Sequence, residues 1–296
     1  MARLAYLGTP AFAVPPLQAL LDAGHQIELV VSAPDRRRGR GRTASPSAVK
    51  AAALAAGLAV SDSLEPLAKG AVRPELGVVV AYGRLIPKAV LDAVPMVNLH
   101  FSLLPRWRGA APLERAILAG DRTTGVCVMA VEEGLDTGPI YARAEVEIGP
   151  EEHLVPLRQR LVELGSRLLV EVVAGGIGGL PEPVPQVGEA SYARKLAPEE
   201  LEIDWSRPSA AVLALVRLDR GAHTSAAGRR LLVLDATRTE ERPDGSPPGT
   251  LRGELVTTGD GAVRLLRVQP EGRRPMAAAE WLRGSRLGPG ARLGSP

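Results

Sequence analysis

The chain has 296 residues, of which 45% are hydrophobic and 23% charged. This composition is typical of a globular protein rather than a disordered or fibrous one, and no apolar run reaches the roughly 18 residues of a membrane-spanning helix. The formal net charge is +3, and residues 204–296 carry 15 Arg against 10 Asp and Glu. A basic C-terminal third indicates an anionic partner or, equally, a solvated face.

The first elements predict a parallel sheet. Strand-like sequence begins at Arg3, which leaves no room for a signal peptide, so we expect a cytoplasmic protein. A strand over 3–7, a helix over about 13–23 and a strand over 25–32 form a βαβ unit. The alternation continues with helices at 47–56, 87–93 and 114–119 and with strands at 77–81, 97–100 and 125–131. We therefore predict a doubly wound, mostly parallel α/β domain that is Rossmann-like.

The usual nucleotide motifs are missing from these elements. The first strand is followed by a single Gly8, and neither G-x-G-x-x-G nor G-x-x-x-x-G-K-[ST] occurs after any strand. G-x-S-x-G is absent too. Nicotinamide, flavin, P-loop and hydrolase-elbow chemistry are all disfavoured.

The loop after the second strand reads PDRRRGRGRTASPS and is strongly basic. It holds five arginines, which are Arg36, Arg37, Arg38, Arg40 and Arg42, and no acidic residue occurs over 36–61. Guanidinium groups match the geometry of phosphate oxygens. We predict that this loop contacts nucleic acid, the alternative being a solvated charge run.

Asn98 and His100 lie two residues apart in the strand at 97–100, so both point to one face at its carboxyl end. In open parallel sheets ligands bind at that end. Asn can donate to a negative oxygen while His gives or takes a proton. This pair is a candidate for a reaction with an oxyanion intermediate, and the alternative is a hydrogen-bonded pair that only closes a strand.

Asp136 is a third candidate, because Gly134 and Gly138 can shape a tight turn around it and a carboxylate beside an imidazole fixes its tautomer. Asp-Thr-Gly also occurs in aspartic peptidases, but their mechanism needs two aspartates and this chain has one such motif. Cys127 is the only cysteine, which excludes an intramolecular disulfide, and its apolar surroundings indicate a buried core residue. The remaining histidines show no metal-ligand spacing and are interpreted as structural: His25, His153 and His223.

A long helix is predicted over 151–174, followed by a Gly- and Pro-rich run that supports no regular structure. Beyond it come a helix at 209–218 and short β runs at 230–235, 249–257 and 262–268. Several short strands in about 90 residues indicate a small β-barrel such as an OB fold, which commonly binds nucleic acids. We predict a first domain over 1–181, a linker over 182–203 and an OB-like domain over 204–296.

Several motifs together resemble the 10-formyltetrahydrofolate-dependent formyltransferases over almost the whole chain. They are LGTPAFAVPPLQALLDAGH, NLHFSLLPRWRGAAP and GLDTGPI, continued in the second domain by SYARKL, IDWSRP and TGDGAVRLLRVQPEGRRPM. The Arg-Gly-Arg loop and the second domain favour the branch that modifies tRNA. One segment departs from the family, because LDRGAHT follows Arg217 where an Arg-x-x-Asn-Pro-x-Pro run is common.

The resemblance implies roles for particular residues. Asn98, His100 and Asp136 correspond to the family's catalytic residues, and Arg40 to a critical arginine in a loop, Pro34 to Arg42, that enters the tRNA acceptor region. The family's folate-contacting residues correspond to Ser102, Leu103, Leu104 and Pro105.

The resemblance also implies an activity and its partners. The formyl group of 10-formyltetrahydrofolate would pass to the α-amino group of methionine on initiator Met-tRNA, leaving tetrahydrofolate and giving formylmethionyl-tRNA for translation initiation. We expect a monomer with no catalytic metal and no membrane partner. Alternatives are formyl transfer to a small amine or amino sugar, hydrolysis of 10-formyltetrahydrofolate, and a non-catalytic RNA-binding module.

Overall fold

The structure, a computed structural model, describes residues 1–37, 44–241, 245–285, 287–288 and 290–294. The chain forms two compact units. The first comprises Met1–Leu113, Thr123–Glu147 and Arg158–Arg194, and the second comprises Glu114–Arg122, Ile148–Leu157 and Lys195–Pro296. The domain boundaries at residues 181 and 203 stay a prediction. Among the described residues, no helix has the length and apolar character needed to cross a membrane.

The described residues up to Val173 form nine strands and six α-helices. The strands are β1 (Arg3–Gly8), β2 (Gln26–Val31), β3 (Arg36–Arg37), β4 (Ala44–Ser45), β5 (Val60–Ser61), β6 (Leu76–Val80), β7 (Met96–His100), β8 (Thr123–Ala130) and β9 (Ile140–Glu147). The helices are α1 (Val14–Asp22), α2 (Ala48–Ala55), α3 (Glu65–Ala68), α4 (Lys88–Ala93), α5 (Pro112–Ala119) and α6 (Leu154–Val173).

The main sheet of the first unit has seven strands in the order β5-β2-β1-β6-β7-β8-β9. The first five strands of that order, β5, β2, β1, β6 and β7, pair with their neighbours in parallel. This confirms the predicted parallel α/β domain. Strands β8 and β9 are antiparallel additions at one edge. Strand β9 was not predicted, because IYARAEVE has a polar, exposed residue at alternate positions and lacks the apolar run of a central strand.

The two faces of β7 are covered by different parts of the first unit, and Asn98 lies on the face that α6 does not cover. Leu99 points to the face that α6 covers, and Gly165 of α6 permits close packing because a Cβ there would lie 3.0 Å from a Leu99 methyl. Met96 points to the opposite face, within the buried cluster that contains Val79 and Tyr82. Asn98 shares that face with Met96, which places its side chain where α6 does not cover the sheet.

The second unit contains an antiparallel sheet with strands β10 (His223–Ala226), β11 (Arg229–Arg238), β12 (Leu251–Arg252), β13 (Leu255–Thr257), β14 (Ala262–Pro270) and β15 (Met276–Ala277). Helices α7 (Ser209–Val216) and α8 (Ala278–Gly284) accompany it. Its order is β10-β11-β14-β13-β12, with β15 beside β14. The predicted single run over 249–257 is therefore a short hairpin of β12 and β13.

The C-terminal residues close this sheet. Leu293 bridges to Ala226 at the end of β10, and Arg292 bridges to Thr250 beside β12. Since β10 and β12 are the two ends of the strand order, these bridges join its edges and confirm the predicted small barrel.

The buried His25 makes the stability of the first unit depend on pH. Its Nδ1 accepts a hydrogen bond from the Ala2 backbone N–H at 3.3 Å. Burial, reinforced by the N-terminal ammonium group, lowers the pKa of His25 below its ordinary value of 6.5. A His whose folded pKa is lowered contributes stability that is fully present above its unfolded pKa and is lost as the pH falls through that value.

We expect that lowering the pH from about 7.5 to about 5 decreases the urea midpoint of the wild-type chain more than that of His25→Asn. Asn keeps an acceptor oxygen near the position of Nδ1 but takes no proton. Urea titrations followed by circular dichroism measure this difference, and parallel pH curves for the two proteins would contradict the role of His25.

Candidate functional site

His100 is held by two contacts at the end of β7. Its ring is buried, its Nε2 lies 2.9 Å from the Trp107 carbonyl oxygen, and its Nδ1 lies 3.6 Å from Oδ2 of Asp136. A carbonyl oxygen only accepts, so this network assigns the hydrogen of a neutral ring to Nε2. Nδ1 then has a lone pair, and it is the nitrogen that can take a proton while facing a carboxylate.

The Asp136 carboxylate is fixed by two donors. Oδ2 accepts a 2.7 Å hydrogen bond from the Gly109 backbone N–H, and Oδ1 accepts a 3.4 Å bond from Nδ2 of Asn98. The structure thus brings Asn98, His100 and Asp136 together, and their catalytic roles stay a prediction. Each Asn amide nitrogen has two hydrogens, so one N–H of Asn98 remains for another acceptor.

The loop that carries Asp136 depends on an unusual backbone. Asp136 has a φ of 50°, in the left-handed region that side chains rarely adopt. Gly138 lies two residues further on, and a Cβ at that position would overlap the carbonyl oxygen of Ala130. The glycine therefore allows the loop to fold tightly back onto β8, which holds Asp136 beside the end of β7.

The turn after β7 contains the residues that the resemblance assigns to folate. The buried Ser102 donates its hydroxyl hydrogen to the Arg106 carbonyl oxygen at 2.6 Å, which stabilises the turn. Leu104 is buried against Cys127 and Met129, whereas Leu103 and Pro105 are partly exposed. The folate assignment of these four residues stays a prediction.

The next residues, Arg106 to Gly109, supply backbone groups to the site. Trp107 gives its carbonyl oxygen to His100, and Gly109 gives its N–H to Asp136. Trp107 also has a left-handed backbone, with a φ of 63°, and the Arg106 guanidinium lies 4.7 Å from the centre of its ring. Sequence reasoning missed both contacts, because any residue can provide a backbone N–H or carbonyl.

Residues 184–193, which we call the strap, lie along this loop and hydrogen-bond to it. The Arg108 N–H donates to the Ser191 carbonyl at 2.9 Å, and the Ala193 N–H donates to the Arg108 carbonyl at 2.7 Å. The hydroxyl oxygen of Ser191 accepts a 3.0 Å bond from the Trp107 N–H. At its other end the strap pairs with β9 through Val184 and Ile140. The Gly- and Pro-rich sequence gave no indication of these contacts.

Gln186 of the strap contacts both loops of the site. Its Oε1 accepts hydrogen bonds from Nε and Nη2 of Arg108, at 3.1 and 2.6 Å. Its Nε2 donates to the carbonyl oxygens of Asp136 and Gly138, each at 2.8 Å. The strap therefore connects the segment that holds His100 with the segment that carries Asp136.

The basic loop is described only at its ends. Arg36 and Arg37 form β3, which pairs with β4, and Arg36 is exposed. Arg38, Arg40 and Arg42, which we predicted to contact tRNA, lie outside the described residues. Within the described ranges, no cluster of three or more His, Cys, Asp or Glu residues is arranged to hold a metal ion.

Comparison with known proteins yields two family matches. The model of the family named Formyl transferase matches residues 2–173, and the model named Formyl transferase, C-terminal domain, matches residues 195–286. A methionyl-tRNA formyltransferase from Dinoroseobacter shibae is 46% identical and covers 96% of this chain and 98% of its own length. One from Thermus thermophilus is 45% identical and covers 99% of both.

The fold recurs in a solved structure. The methionyl-tRNA formyltransferase from Clostridium thermocellum superposes with a TM-score of 0.58 over 81% of this chain and 94% of its own, at 17% identity. At that identity the likeness concerns the fold.

Cys127 lies opposite His100 in the β7–β8 register but is not a reactive group. Burial raises the pKa of its thiol to about 11, so almost no thiolate forms near neutral pH.

We expect the folded protein to resist alkylation by iodoacetamide at about pH 8 and to react only in urea, as mass spectrometry would show. We also expect Cys127→Ala to keep kcat within about threefold, and rapid labelling of the active, folded enzyme would contradict this prediction.

Proposed function

Because the chain belongs to the formyl transferase family, we propose that it formylates the α-amino group of methionine on initiator Met-tRNA, with 10-formyltetrahydrofolate as the donor. The observation that carries this proposal is the meeting of Asn98, His100 and Asp136 at the carboxyl end of β7. Relatives that are 42–46% identical over nearly the whole chain are methionyl-tRNA formyltransferases, which supports tRNA as the acceptor.

The reaction exchanges one carbon–nitrogen bond for another. The neutral amine of methionine attacks the formyl carbon, and the carbonyl oxygen becomes an oxyanion. The bond from that carbon to N10 of the folate then breaks as the oxygen re-forms its double bond. The proton lost by the amine is gained by N10, so the products are the formylated amine and tetrahydrofolate.

Asn98 and His100 stabilise the oxyanion. One N–H of Asn98 points to Asp136, and the other donates to the developing negative oxygen. A protonated His100 adds positive charge beside it, and removing one donor of this kind typically lowers kcat by about 10²-fold or more. The low solvent exposure of the His100 ring strengthens this interaction.

His100 also carries the proton. Because Nε2 already has a hydrogen directed at the Trp107 carbonyl, Nδ1 is the atom that takes the proton of the amine and returns it to N10. Asp136, 3.6 Å from Nδ1, stabilises the imidazolium that forms in between. Asp136 thus orients and stabilises His100 and does not itself contact the formyl group.

The substrate-binding parts follow from the resemblance. Ser102, Leu103, Leu104 and Pro105 form the turn beneath the folate, and the partly exposed Leu103 and Pro105 are its contact groups. The arginine loop binds the acceptor end of the tRNA, and the basic barrel over 204–296 binds its backbone. We retain 1–181 and 182–203 as the catalytic domain and the linker in this proposal.

We expect His100→Ala and Asp136→Asn each to lower kcat by about 10²-fold or more while KM for Met-tRNA changes less than about threefold. Asp136→Asn retains an oxygen for the Gly109 N–H but has no charge to stabilise the imidazolium. The assay incubates enzyme with 10-formyltetrahydrofolate and Met-tRNA, then weighs the amino acid released from the tRNA.

Asp22→Asn, an exposed change in α1, is the matched control and should behave as the wild type. Turnover near the wild-type value in His100→Ala would remove the proposed proton carrier. Free formate released by the wild type without any dependence on tRNA would contradict the transferase function itself.

Arg40→Ala should raise KM for Met-tRNA several-fold, because one phosphate contact is lost. For the same reason the slope of log tRNA affinity against log salt concentration should become shallower by about one unit. Arg73→Ala is the control, since Arg73 is an exposed arginine outside the loop. Titrations of formylation rate against tRNA at several salt concentrations measure both effects. Identical curves for Arg40→Ala and the wild type would refute the loop assignment.

A further inference from the structure

Gln186 occupies a position that only a side-chain amide satisfies. On one side stands the Arg108 guanidinium, which has only donors, and on the other stand the carbonyl oxygens of Asp136 and Gly138, which only accept. The group between them must accept on one side and donate twice on the other. The carboxamide does both, and these partners also fix which of its ends is the oxygen.

Neither alternative side chain of similar size meets this requirement. A Glu would accept from Arg108, but its second oxygen would face two carbonyl oxygens. A Met would fill the space and leave two carbonyls and a guanidinium without these partners. Glu disrupts only the half of the network that faces the carbonyls, whereas Met disrupts both halves, so a comparison of the two substitutions separates the functions of the two ends of Gln186.

Gln186 connects to the reacting groups through Arg108 on one side and directly on the other. Arg108 stands between Trp107, whose carbonyl accepts from His100, and Gly109, whose N–H donates to Asp136. On the other side Gln186 bonds directly to the backbone of Asp136. Gln186, Arg108, Gly109 and Asp136 therefore form a closed ring of contacts beside the imidazole.

We propose that Gln186 is a positioning residue for formyl transfer, which sets the separation of the Asp136 carboxylate and the His100 ring by joining the two loops that hold them. The inference rests on the proposed function of Asp136 and His100. It assigns to the predicted linker a task in the chemical step, since a displacement of about 1 Å in such a group can cost about 10²-fold in rate.

The test uses three single variants, Gln186→Met, Gln186→Glu and Arg108→Met, and a double variant in which Gln186 and Arg108 are both changed to Met. Gln18→Met, on the exposed face of α1, is the control. Formylation is measured with Met-tRNA and 10-formyltetrahydrofolate well below the melting temperature of each protein. We expect Gln186→Met to lower kcat by about 10- to 100-fold, with KM for either substrate within about threefold of the wild type.

Two further results distinguish positioning from simple anchoring of Arg108. Gln186→Glu keeps the contact to Arg108 but should not restore kcat, because the bonds to the Asp136 and Gly138 carbonyls are lost. The double variant should be no slower than the slower of its single parents, since both changes open the same ring.

Wild-type kcat in Gln186→Met, full activity in Gln186→Glu, or a loss seen only in KM would each overturn the proposal. Arg108→Met gives an independent reading should Gln186→Met fold poorly, and wild-type kcat in Arg108→Met would also overturn it. Normal turnover in Gln186→Met together with loss in His100→Ala defeats only the positioning proposal. Normal turnover in His100→Ala defeats the proposed function on which it rests.

Discussion

The first unit depends on how it holds one carboxylate. Asp136 is largely shielded from water, and a shielded carboxylate is costly unless hydrogen-bond donors surround it. Asn98 from β7 and Gly109 from the following loop each donate a hydrogen bond to it, so two contacts fix the loop after β8 against β7. The same contacts that make the ion tolerable place it beside the imidazole, and stability and chemistry therefore share one set of bonds.

Holding this arrangement requires a backbone that is unfavourable by itself. Trp107 and Asp136 both adopt left-handed conformations, which cost of order 1–3 kcal/mol each outside glycine and persist only where the surroundings determine them. The strap provides such surroundings: Ser191 accepts from the N–H of Trp107, and Gln186 bonds to the carbonyl of Asp136. Residues far apart in sequence thus stabilise the two strained positions on either side of His100.

The sequence predicted the groups that act through side chains in regular elements and missed those that act through the backbone. Alternation along a strand places Asn98 and His100 on one face without any knowledge of the fold. It could not place Asp136, because β8 runs antiparallel to β7 and only the tight return at Gly138 brings the loop back. The contributions of Trp107 and Gly109 have no sequence signature, and the Gly and Pro content of the strap predicts only the absence of helix and strand.

The neutrality of Gln186 has an electrostatic consequence. Arg108 donates two hydrogen bonds to the oxygen of an uncharged amide, so its positive charge is not cancelled by the group that holds it. A guanidinium bound to a carboxylate would present almost no net charge to its surroundings, whereas here the positive charge persists on the residue next to Gly109 in sequence. A reaction that passes through an oxyanion is favoured by excess positive charge nearby. The chemistry thus favours an amide over a carboxylate at this position, even though a salt bridge would bind Arg108 more strongly.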